Sequence, residues 1–132
     1  MTHHLPVEAV SALILRVDDI LSENPPAPGA ESHLVTLLHG KGMTLLLAQI
    51  IGSLKPHIHT THEETIYVLR GSGQALVGGK WEDLSPGTVL HFQDQAVHSV
   101  KAAAGNPLVF LCHFVPGMKE MERIFVENAE NI

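Results

Sequence analysis

Short runs rich in Val, Ile, Leu and aromatic residues recur along this chain about every eight to twelve residues, each closed by Gly, Pro, Asn or Asp. That rhythm suits strands of a sandwich or barrel and leaves little room for helix, so the fold expected is all-β. Strands are predicted near 12–17, 33–38, 43–51, 55–59, 64–70, 74–77, 80–84, 89–92, 98–101 and 108–115. Between them His39-Gly40-Lys41-Gly42, Gly71-Ser72-Gly73, Gly78-Gly79 and Pro86-Gly87 supply the positive or fixed φ of tight reversals, which reads as a series of hairpins. The proline-rich stretch 24–30 is poor in donors and reads as a surface arm or linker, with a cover over a barrel mouth or a partner subunit as the alternative. One helical turn is expected over 118–123, ahead of Ile124-Phe125-Val126.

The length, 132 residues, suits one domain. Its core is expected over about 34–115, with an N-terminal strand and arm at 1–33 and a C-terminal tail at 116–132. Fourteen acidic residues outnumber eight scattered basic ones, which argues against a nucleic-acid footprint and for a small-molecule partner. The single cysteine, Cys112, excludes an intramolecular disulfide and a cysteine-rich zinc site, and fits a reducing cytoplasm. The apolar run 9–15 lacks the flanks of a signal peptide, and no stretch is long enough to span a membrane. With 45% apolar and 17% charged residues, one strand face is expected to be buried between the subunits of a homodimer.

Ten histidines are many for this length and invite a metal reading. His57 and His59 stand two apart, so on a strand they share a face while Ile58 points away. A hairpin would return Glu64 toward them. Glu63 competes with it: Glu64 shares parity with Ile66 and Val68, Glu63 with Thr65, Tyr67 and Leu69, and the β-branched pair favours the Glu64 face as the inner one. The fourth ligand is expected to be a histidine on a later strand, and His98, after the turn at 84–87, is the candidate. Three imidazoles and one carboxylate suit one divalent transition metal, Fe, Mn, Co, Ni, Cu or Zn, better than Ca or Mg. An octahedral ion would keep two open positions, whereas a tetrahedral zinc would keep none.

Other residues carry two readings each. His62, between His59 and Glu64, is a solvated loop residue or an acid-base group at the pocket mouth. His91 and His113 sit in apolar strands as core, interface or pocket histidines, and Gln49 either holds a ligand or substrate oxygen or caps a sheet edge. These four are the catalytic candidates. Cys112 reads as a small buried side chain rather than a nucleophile, and Tyr67, Trp81, Phe110 and Phe114 as packing residues. His3 and His4 could bind metal adventitiously.

The spacing of these residues resembles that of the cupins, specifically single-domain metal cupins of the type-2 kind. Gly52, His57, His59, Glu64 and Gly71 match the first cupin motif, and Pro86, Gly87 and His98 match the second. The gap between Gly52 and His57 is four residues, one fewer than usual. Thr88 stands where Asp is common and Gln93 where Pro is common, and no Asn closes the second motif. The resemblance covers roughly residues 43–115. It implies a double-stranded β-helix, or jelly-roll, barrel with His57, His59, Glu64 and His98 around one ion.

The fold does not name a reaction, because cupin barrels host many. The leading expectation is an enzyme acting on a small organic substrate by dioxygenase-type or Lewis-acid chemistry. A sugar or uronate isomerase or lyase is the alternative, and a non-catalytic ligand- or metal-binding barrel is another. A metal-free epimerase with a histidine base is disfavoured by Glu64 standing with all three histidines. Arg70 and Lys55 are the cations nearest the ligands in sequence, so the substrate expected is uncharged or weakly acidic.

Overall fold

A computed structural model describes residues 12–118 and 120–127. Ten strands form two five-stranded antiparallel sheets. In chain order they are β1 (Ser32–His39), β2 (Thr44–Ile50), β3 (His57–Ile58), β4 (Glu63–Arg70), β5 (Gly73–Val77), β6 (Lys80–Leu84), β7 (Val89–Phe92), β8 (His98–Ala102), β9 (Leu108–Val115) and β10 (Ile124–Phe125). One sheet runs β1-β2-β9-β4-β7 and the other β10-β3-β8-β5-β6. The chain is therefore all-β, with one short helix, α1 (Val17–Glu23).

Strand burial follows the pleat. Along β4, Glu64, Ile66 and Val68 are buried while Glu63 and Tyr67 are exposed, the alternation expected of a sheet with one wet face, and a register shift after Val68 leaves Arg70 exposed as well. The inward residues Leu46, Ala48, Ile66, Val68, Val100 and Phe110 belong to a core between the sheets. Each fully buried aliphatic or aromatic side chain contributes about 1.5–3 kcal/mol by leaving water. On β2 and β9 burial is nearly continuous, because a second cluster, Ile20 of α1 with Val35, Leu37, Leu47 and Val109, covers their outer face.

Four expectations are corrected. The strand expected at 12–17 is irregular up to α1: Leu13, Ile14 and Leu15 are exposed, and no described strand pairs with them. Asp18 and Asp19 favour the positive end of α1, and Asn24 closes its other end by donating to the Ile20 carbonyl at 2.8 Å. The described residues of 118–123 contain no helical turn. Only two of the four turns close hairpins, β1–β2 and β5–β6. Gly71-Ser72-Gly73 and Pro86-Gly87 instead carry the chain from one sheet to the other. Likewise β3 and β4 lie in opposite sheets, so His57, His59 and Glu64 meet across the barrel rather than along a hairpin. The proline-rich stretch turns at Gly29, φ 78°, with Ala30 N–H donating to Ala27 at 3.0 Å.

Beyond residue 115 the described chain continues along the barrel. Thr44 Oγ1 accepts the Met118 N–H at 2.7 Å, β10 pairs with β3, and Val126 N–H donates to Pro56 at 3.0 Å. We call Met118 and 120–127 the C-terminal strap. Glu31 packs against Gly52, where a Cβ would lie 1.4 Å from its Oε2, so a larger residue there would have to displace the carboxylate that accepts the Ser53 N–H. No helix among the described residues is long and apolar enough to cross a membrane.

Candidate metal centre

Residue parity and sheet pairing bring four polar side chains into the barrel. His57 and His98 are direct partners across β3 and β8, His59 follows two residues on, and Glu64 enters from β4 in the facing sheet. All four are buried, at 3%, 2%, 3% and 6% exposure respectively. One ligating atom from each histidine lies within 4.8 Å of the others, a grouping that could hold a metal ion. Glu64 Oε1 lies 3.2 Å from His59 Nε2 and 2.9 Å from His98 Nε2.

The backbone sets the ring orientations. Nδ1–H of His57 donates to the Lys55 carbonyl at 2.7 Å, that of His98 to Ala96 at 2.9 Å, and that of His59 to Glu122. Each bond fixes a tautomer that leaves Nε2 free to be a ligand. His98 is held further by stacking on Phe92, ring centroids 4.2 Å apart. Although His98 Nε2 and Glu64 Oε1 are close, they are not aligned as donor and acceptor, and both are buried without a hydrogen-bond partner. Two acceptors facing each other in a dry interior are costly unless a cation lies between them. The donor set therefore fits a divalent transition metal.

Glu64 carries its own support. Cys112 Sγ donates to Glu64 Oε2 at 2.7 Å. Burial, and then the Glu64 charge, push the Cys112 thiol well above its usual pKa, which keeps it a donor. Burial opposes ionisation of Glu64 itself, yet His59, His98 and Cys112 together hold it well below the carboxylate range. Cys112→Ala should weaken metal binding about tenfold, while Cys112→Ser, which keeps a donor, stays within a few-fold of the parent. Chelator competition measures this, and equal affinities for all three proteins would rule out a supporting bond.

Proton competition sets the pH dependence. Burial disfavours a charge on His59, but the Glu64 carboxylate 3.2 Å away and the bond to the Glu122 carbonyl outweigh burial and raise its pKa above the ordinary value. Burial, with His98 nearby, lowers His57 to about 4. In the metal-free protein His59 is thus more readily protonated than His57, and an ion must displace its proton. Metal binding should release protons, and affinity should fall from about pH 8 to about pH 5 as protons compete for the imidazoles. Calorimetry in buffers of different ionisation enthalpy reads both, and pH-independent affinity without proton release would contradict the assignment.

The other candidates lie elsewhere. Glu63 is exposed and pairs with His91 Nε2 at 3.0 Å, while Thr65 Oγ1 lies 2.8 Å from His91 Nδ1, all on the outer face. Gln49 and His113 have the outward parity of Leu47 and Leu111, so neither joins the inner wall. His62 donates to the Pro116 carbonyl at 2.9 Å and meets Phe114 edge-on, beside the cavity rather than in it. His3 and His4 lie outside the described residues.

A cavity of about 30 Å³ adjoins the imidazoles, and an outer one of about 110 Å³ shares Leu34, Leu46, Phe114 and Met121 with it. Arg123, on the strap, lines the inner cavity. Sequence distance from the histidines hid this residue, since only the strap's pairing with β3 brings it back. A larger open hollow of about 410 Å³ beside Gln74, Asp83 and Lys101 shares no wall residue with either cavity.

The sequence pattern of the cupin domain family matches residues 49–114, half of the chain. Among solved structures, an uncharacterized conserved protein with a double-stranded beta-helix domain from Klebsiella pneumoniae is 19% identical, with a TM-score of 0.73 over 89% of this chain and 100% of that one. The polyketide cyclase RemF from Streptomyces resistomycificus is 22% identical, TM-score 0.63, over 98% and 90%. KdgF from Halomonas sp. is 21% identical, TM-score 0.64, over 71% and 86%. At these identities the likeness is one of fold. No curated protein sequence matches the chain.

Proposed function

The chain belongs to the cupin superfamily, and from that premise we propose that it is a metal-dependent cupin acting on a small organic substrate, by dioxygenase-type or Lewis-acid chemistry. Nε2 of His57, His59 and His98 and Oε1 of Glu64 would hold one divalent Fe, Mn, Co, Ni, Cu or Zn ion. Such an ion polarises a bound oxygen, or with a redox-active metal supports reaction with dioxygen. The observation that carries this reading is the pair of buried, unpartnered acceptors, Glu64 Oε1 and His98 Nε2, 2.9 Å apart.

The protein's own part is to position and to exclude water. The three carbonyl-anchored imidazoles cannot rotate without losing their Nδ1–H bonds, so the ligand geometry is built before the ion arrives. Leu46, Ala48, Phe110 and Phe114 make the inner wall apolar, which limits the water that can compete with substrate. The test is elemental analysis of tag-free protein, followed by oxygen uptake with the Fe(II)-reconstituted form. Stoichiometric metal with uptake supports the oxygenase branch, and tight zinc or nickel without uptake selects isomerase, lyase or binding chemistry. Absence of stoichiometric metal after reconstitution would overturn the proposal.

The same reading takes the chain as a homodimer, since Tyr67 and Val89 are cross-strand partners exposed on the outer face of β4 and β7. Light scattering should return twice the 14.3 kDa chain mass, and the single-chain mass at micromolar concentration would refute it.

A further inference from the structure

The strap places a cation where the rest of the cavity has none. Arg123 is half-buried and lines the inner cavity with His57, His59 and Glu64. Its charge is felt by Glu64, Cys112 and His57. Among the described residues it forms neither a hydrogen bond nor an ion pair, although Glu64 lies in the same cavity. Glu64 has its own neighbours: Oε1 faces His59 and His98, and Oε2 accepts from Cys112. Arg123 therefore feels the Glu64 charge without bonding to it, which leaves its donors open to a ligand. The remaining inner wall is mostly apolar, and it contains no second carboxylate.

We infer that Arg123 is a specificity-determining residue that recognises the carboxylate of a small organic acid, with another oxygen of the same molecule directed at the imidazole–Glu64 cluster. This deepens, and rests on, the metal-dependent reading above. A divalent ion facing one Glu64 carboxylate leaves a positive charge in the cavity, and Arg123 adds another, so an anionic ligand balances the site where a neutral one does not. A guanidinium offers paired N–H donors that match a carboxylate's two oxygens, and in a largely apolar cavity water screens that pairing weakly. Size narrows the class further. Cavities of about 30 and 110 Å³ admit an acid of a few carbons, whose carbon end would meet Leu34, Leu46, Phe114 and Met121. Of the uncharged or weakly acidic substrates expected from the sequence, the weakly acidic class, ionised at neutral pH, is the one that fits this cavity.

Position on the strap gives the residue a second property. Glu122, its neighbour, anchors His59 through the backbone carbonyl and accepts the Thr60 N–H on Oε1 at 2.9 Å. Ile124, on the other side, pairs with Ile58. Arg123 is thus held at both flanks by residues bonded to the ligand strand, and its Cα is fixed relative to the imidazoles. That arrangement suits recognition of a ligand of defined length between guanidinium and metal.

The test uses the full chain reconstituted with Mn(II), with pyruvate as the carboxylate probe and pyruvamide as its neutral isostere, each titrated by calorimetry without oxygen. Metal content is measured on every sample first. The parent should bind pyruvate at least about tenfold more tightly than pyruvamide. Arg123→Gln should lose most of that preference by weakening pyruvate alone, and Arg123→Lys, which keeps the charge but not the fork, should restore part of it. A preference that survives in Arg123→Gln, or no preference in the metal-loaded parent, overturns the inference and leaves the metal reading standing. Failure of the parent to take up metal defeats that reading instead. If Arg123→Gln loses metal or fails to fold, Arg123→Lys decides: pyruvate affinity equal to the parent's excludes paired recognition by the guanidinium.

Discussion

His98→Ala is expected to lower metal affinity on the order of 100-fold or more, with the fold retained. The imidazole contributes one of the converging Nε2 atoms, and its removal leaves Glu64 Oε1 with His59 as its remaining near nitrogen. Removal of a second-layer partner alone typically costs 10–100-fold, so loss of a ligand should cost at least the upper end. The metal-free protein should suffer less, because the substitution also deletes an acceptor that is buried and unpartnered without an ion. Stacking on Phe92 is lost, which argues for some destabilisation. The clearest readout is the rise in melting temperature on adding metal. In the parent, metal at a hundred times its Kd should add about 2.7 kcal/mol, and in the variant that increment should nearly vanish. Unchanged metal retention would remove His98 from the site.

The second large effect is expected at Gly71, where alanine should destabilise the protein by about 3 kcal/mol or more. Two costs combine. The residue has φ of 82°, a conformation that costs an L-residue about 1–2 kcal/mol. A Cβ would also lie 1.9 Å from the Pro107 carbonyl oxygen, and overpacking typically costs about 1–3 kcal/mol. Gly87 separates these contributions: its φ is 91°, yet a Cβ there meets nothing within 4 Å. Gly87→Ala should therefore show the backbone cost alone. Denaturant unfolding of both variants measures the difference, and equal losses would mean that the close approach to Pro107 relaxes freely.

Much of the fold was legible because strand signals are local. Nine expected strands, from 33–38 through 108–115, coincide to within a few residues with β1 to β9, since alternating burial and Gly- or Pro-containing turns are written in adjacent residues. The strand at 12–17 failed for the same reason in reverse: Leu13-Ile14-Leu15 has strand-like composition, but pairing needs a partner that the described fold does not provide. The turns were located correctly, while the destinations of two of the four were not. A Gly-rich reversal has the same composition whether it closes a hairpin, as Gly78-Gly79 does, or passes the chain to the facing sheet, as Gly71-Ser72-Gly73 does.

By itself the sequence determined the alternation that turns Glu64 inward and Glu63 outward, the two-residue spacing that sets His57 of β3 and His59 just beyond it on one side of the chain, and a family motif pointing to His98. These properties depend on the period of a strand and on short intervals. Tertiary structure decided what surrounds them. Cys112 reaches Glu64 from forty-eight positions away, the Glu122 carbonyl reaches His59 from sixty-three, and Arg123 enters the cavity because β10 docks on β3. Contacts at such separations are set by sheet order and register, which no local pattern encodes. The supports of the site, and the cation that distinguishes one ligand from another, are products of barrel closure.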